Sequence, residues 1–61
     1  RTSSELLTIA DNIGRYRERV ADLAEPFVGT DRNDIVGVIH EAERQLRSAE
    51  RTLQRAIRQV S

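Results

Sequence analysis

The chain has 61 residues, no cysteine and one histidine, His40. A chain this short buries only roughly 60% of its unfolded surface, and without cysteine it lacks disulfides and thiolate metal sites as reinforcements. Ten acidic residues balance ten basic ones, so no net field draws it to nucleic acid or to a charged membrane surface.

All ten basic residues are arginine, a bias that suggests a GC-rich genome such as an actinobacterial one. No apolar run approaches the ~20 residues of a membrane-spanning helix, and no signal-peptide pattern is present. The compartment stays unassigned, the cytoplasm and the exterior by a non-classical route both being compatible with these features. A start at Arg1 is what an excised or processed piece would show.

From the N-terminus, Leu6, Ile9, Ile13, Tyr16, Val20, Leu23 and Phe27 recur at alternating spacings of three and four, a heptad pattern. This predicts a helix over about residues 4–25, with Thr2, Ser3 and Ser4 as N-cap candidates and Thr2 with Glu5 matching a capping box. Pro26 ends it, because the residue before a proline avoids the helical region. Residues 26–33 form the turn: Pro26 stops the helix, Phe27 plugs the open end against Ile35, and Gly29 permits a left-handed conformation. A binding role for an exposed Phe27 and Val28 is the alternative for this stretch. Thr30, Asp31 or Asn33 then caps a second helix over about 34–60. Its core positions are Ile35, Ile39, Ala42, Leu46, Ala49, Leu53, Ala56 and Val60.

So short a connection places the helices antiparallel. The expected architecture is all-α: one two-helix, coiled-coil-like hairpin. Its layers pair Phe27 with Ile35, Leu23 with Ile39, Val20 with Ala42, Tyr16 with Leu46, Ile13 with Ala49, Ile9 with Leu53 and Leu6 with Ala56. Large residues then oppose alanine in alternate layers, which lets the axes approach.

A lone hairpin is seldom stable, and apolar residues remain once this core is filled. Leu7, Ala10, Gly14, Ala21, Ala24 and Val28 share a flank of the first helix, broken by Arg17; Val36, Val38 and Ile57 lie beside the seam of the second. Gly14 stands out, since glycine inside an exposed helix costs about 1 kcal/mol relative to alanine. These residues are the expected interface for another helix, most simply in a homodimeric four-helix bundle. A second feature is the arginine face of the second helix: Arg44, Arg47, Arg51, Arg55 and Arg58. It reads either as a solvated face near a helix C-terminus or as an anion or nucleic-acid surface. No aromatic residue is interleaved for base stacking.

Catalysis has almost no support. His40 is a lone outer-face histidine beside Glu41, and Ser3, Ser4, Thr8, Thr30, Ser48 and Thr52 have no base placed by local spacing. Glu41, Glu43 and Glu50 make no recognisable metal motif with His40. Neither a metal nor a cofactor is expected, and the chain reads as a protein–protein interaction module. Nucleic-acid association through the arginine face is the alternative.

The order helix, Phe27-Val28-Gly29, helix resembles the WXG100 family of small secreted hairpins, in which an aromatic-x-Gly motif marks the turn. The resemblance implies dimeric four-helix bundles and export by a type VII system, with Phe27 and Gly29 as the turn residues. Phenylalanine stands here where the family has tryptophan. The family's C-terminal Tyr-xxx-Asp/Glu signal is missing, because the sole tyrosine, Tyr16, is followed four residues on by Val20.

Overall fold

The computed structural model describes all 61 residues as two helices packed against each other, with no strand. Helix α1 spans Thr2–Ala24, a single 3₁₀ turn covers Glu25–Phe27, and helix α2 spans Asp34–Val60. The hairpin measures 48 × 14 × 9 Å along its principal axes, with a radius of gyration of 14.5 Å. A compact 61-residue domain would have a radius near 10.5 Å. The molecule is a flat ribbon one helix thick.

Local chemistry explains the turn. Glu25, the residue before Pro26, keeps helical φ/ψ (−51°, −47°), so the pre-proline restriction is not what ends α1. The helix tightens into the 3₁₀ segment, in whose first turn the missing N–H of Pro26 costs nothing. Val28 is extended, and Gly29 takes φ 76°, the only positive φ in the chain. Thr30 ties the turn together: its hydroxyl donates to the Phe27 carbonyl at 2.7 Å and accepts from the Arg32 N–H at 3.2 Å. That hydroxyl is therefore not a helix cap. The cap positions are Arg1 and Asn33, and neither makes a side-chain capping bond. The anticipated Thr2–Glu5 box also does not form, because Thr2 already lies inside α1 and the Glu5 N–H donates to the Arg1 carbonyl at 3.0 Å.

The seam between the helices differs from the heptad expectation in one consistent way. On α1, Leu6, Ile13 and Val20 are partly buried, as are Ile39, Leu46 and Leu53 on α2. These form the central columns. The column beside them on α1, however, is Ala10, Arg17 and Ala24, not Ile9, Tyr16 and Leu23. Ala10 and Ala24 are 3% and 2% exposed, the two most enclosed residues of the chain, whereas Ile9, Tyr16 and Leu23 are 48%, 58% and 66% exposed. Ala10 lies mid-helix, where the opposite helix covers it, and Ala24 lies where α1 meets both α2 and the turn. The layers drawn through Ile9, Tyr16 and Leu23 therefore do not close, and Ala42 and Val60 of α2 are exposed as well. Small residues win the seam because they let the backbones approach, while the large neighbours would hold them apart.

Candidate interaction surface

The seam has two flanks, and one cross-hairpin contact fixes which residues belong to each. Arg17, four residues on from Ile13, donates from Nε to Oε2 of Glu50, four residues on from Leu46, at 2.5 Å. A Cβ added at Gly14 would lie 3.1 Å from Oε1 of the same Glu50. The columns four residues on from each centre, Ala10/Arg17/Ala24 and Glu43/Glu50/Ile57, thus meet on one flank. In an antiparallel pair equal offsets fall on the same side. The columns three residues on therefore share the other flank: Ile9, Tyr16 and Leu23 on α1 with Ala42, Ala49 and Ala56 on α2.

The first flank is closed by charge and small size. The Glu50 carboxylate raises the pKa of Arg17 through their hydrogen bond, against the opposing effect of desolvation. Below it, Glu43 accepts from His40 Nδ1 at 2.9 Å and lies 3.7 Å from the Arg47 guanidinium. The hydrogen bond from His40 is the main reason its carboxyl is held below the usual carboxylate range. Glycine at position 14 leaves space for the Glu50 carboxylate that a methyl group would contest.

The second flank is open. Ile9, Tyr16 and Leu23 present large apolar surface, with the Arg19 guanidinium carbon 5.8 Å from the Tyr16 ring centroid. Its outer edge on α2 is Val38, Gln45, Thr52 and Gln59, all exposed and none charged. No large side chain anywhere is fully buried, and only two residues are buried at all. The accessible surface is 4704 Å², whereas a folded monomer of this 6.9 kDa mass averages about 4,000 Å². The difference, roughly 700 Å², reflects the elongated shape and thin core of the hairpin.

The residues anticipated as the partner interface do not form one surface. Ala10 and Ala24 are buried inside the hairpin, and Gly14, Ala21 and Ile57 are partly covered. Leu7 and Val28 are exposed at the outer margin of the closed flank, whereas Val38 is exposed on the rim of the open one. The small residues that looked suited to a foreign helix are used by the chain's own second helix. The sequence signal was present in Arg17 and Glu50. The arginine that interrupts the small column Ala10/Arg17/Ala24 is matched in charge by the acidic pair Glu43 and Glu50 of one α2 column, which marks those columns as facing each other.

The arginine face is outward, with Arg44, Arg47, Arg51, Arg55 and Arg58 all exposed. Of these only Arg47 has an acid within 4.0 Å; Glu5, Asp11 and Glu18 of α1 do not reach the face. The Thr8 and Thr52 hydroxyls are bonded back to the Ser4 and Ser48 carbonyls at 3.1 Å. No three acidic or imidazole groups converge as a metal site would require. The one concavity is a shallow, open dent beside Ser4, Glu5, Thr8 and Ile9. No helix is long and apolar enough to cross a membrane.

No family model matches this chain, and no significant similarity links it to a curated protein or a solved structure.

Proposed function

We propose that this chain is a non-catalytic assembly module, a helical hairpin that docks through the open flank onto further helices to complete a four-helix bundle. One observation carries this reading: Ile9, Tyr16 and Leu23 stand about half or more exposed along a flank whose α2 edge bears no charge. A monomer has little reason to keep such a stripe in water, and a contiguous apolar patch rimmed by polar residues marks an interaction site. The thin core argues the same way, because two buried alanines and a single seam of partly buried aliphatic side chains are a small hydrophobic contribution against the conformational entropy of ordering 61 residues. Folding and association are then coupled. The turn at Phe27 and Gly29, which resembles that of the WXG100 hairpins, agrees with a bundle-forming role.

Light scattering over a wide concentration range tests the reading, with the helical signal followed in parallel. The expected result is a defined oligomer whose melting temperature rises with concentration. Replacing Tyr16 and Leu23 together by glutamate should reduce the particle to one chain and lower its helicity. An unchanged mass in that variant would remove the open flank from the account.

A further inference from the structure

The open flank has two unlike edges. On α2 the edge is Val38, Gln45, Thr52 and Gln59. On α1 the corresponding edge, one residue before each central position, is Glu5, Asn12 and Arg19. Glu5 and Arg19 are the charges on this edge, they are opposite in sign, and they lie two heptads apart in one column, about 21 Å along the axis. Neither has an oppositely charged side chain within 4.0 Å in its own chain. Asn12, midway between them, is uncharged and accepts a hydrogen bond from the Arg15 guanidinium.

This spacing is self-complementary. We propose that the occupant of the open flank is a second copy of this chain. The twofold axis crosses α1 between Asn12 and Ile13 and runs perpendicular to the helices. Glu5 of one protomer then faces Arg19 of its partner, twice per dimer, and Ile9 of one packs near Tyr16 of the other. The inference rests on the assembly reading above and adds the identity and orientation of the partner.

Three arguments select this arrangement. Isologous contacts require a patch that matches itself under a twofold axis, and an acid and a base in one helical column match only when the two α1 helices run antiparallel. A twofold axis parallel to the helices would instead set α1 over the partner's α2. Glu5 and Arg19 would then be covered by glutamine and threonine, leaving two charges desolvated without counter-charges. The second argument is exposed surface: an elongated hairpin roughly 700 Å² above the norm for a compact monomer has uncovered area on this flank for a copy to bury. The third is net charge. A chain with ten acids and ten bases meets no overall repulsion from its copy.

Charge reversal in both directions provides the test, read as the dimer dissociation constant at low salt. Glu5→Arg and Arg19→Glu should each weaken the dimer about tenfold, since each sets like charges opposite one another at two symmetric places. The double variant should recover to within about threefold of the unaltered chain if the pairs are those named. In parallel, Asn12→Cys should oxidise readily to a disulfide-linked dimer, and Ser48→Cys on the outer face should not. A dimer in which the two reversals simply add, or in which Asn12→Cys fails to cross-link, overturns this axis and leaves the assembly reading standing. An unaltered chain that stays monomeric at every concentration sinks the self-pairing.

Discussion

The two flanks of one seam solve the same problem by opposite means. On the closed flank the side chains are small or paired: Ala10 and Ala24 are buried, Gly14 leaves room, and Arg17 and Glu50 neutralise each other at 2.5 Å. On the open flank α1 brings large, uncovered side chains, Ile9, Tyr16 and Leu23, beside the alanines of α2. Size and charge together decide which side two helices can close unaided. Small residues bring the axes near enough for a short ion pair to span them. Isoleucine, tyrosine and leucine need a further surface to cover them. The hairpin therefore finishes one flank internally and leaves the other uncovered.

The largest contrast between the flanks should appear in stability. Enlarging a buried small residue, Ala24→Leu, should cost about 1–3 kcal/mol because the helices must move apart. Truncating its neighbour, Leu23→Ala, should cost only about 0.5–1 kcal/mol at concentrations where the chain is monomeric, since two-thirds of that side chain is already in water. Chemical denaturation of both variants gives the comparison directly. Equal losses would erase the distinction between the flanks. A loss at Leu23 that grows with concentration would sharpen it.

A smaller effect is expected at the glycines. Gly37 has open space where a Cβ would go, so Gly37→Ala should stabilise α2 by up to about 1 kcal/mol. Gly14→Ala should gain clearly less, because the new methyl group presses on the Glu50 carboxylate that Arg17 holds in place. Repeating Gly14→Ala in a Glu50→Ala background should restore the full gain. If Gly14→Ala behaves like Gly37→Ala from the start, the closed flank is looser than described.

The smallest effect is the pH dependence of Glu43. Its folded pKa is depressed, chiefly by the hydrogen bond from His40. It therefore contributes stability that is present above the ordinary carboxylate pKa and is lost as pH falls through the depressed value. Melting temperature followed from about pH 5 down to pH 2 should decline through that window, and Glu43→Gln should flatten part of the decline. An identical acid limb in the variant would mean that this carboxylate adds nothing to the closed flank.

Much of this architecture was legible in the residues alone. Heptad spacing marks the central columns Leu6/Ile13/Val20 and Ile39/Leu46/Leu53, and Gly29 marks a left-handed turn for reasons of backbone sterics. Pro26 marks the place of the turn, although the residue before it stays helical. Two helices packed against each other follow from those features and the short connection between them. What periodicity could not settle was which neighbouring column completes the seam. On α1 three adjacent columns are largely apolar, forming a stripe wider than one partner helix can cover, so heptad spacing fits two choices equally well. The tertiary structure made the choice through close approach, burying Ala10 and Ala24 and seating Glu50 against Gly14 and Arg17. That choice turned Ile9, Tyr16 and Leu23 outward, because a single neighbouring helix has only one face to offer.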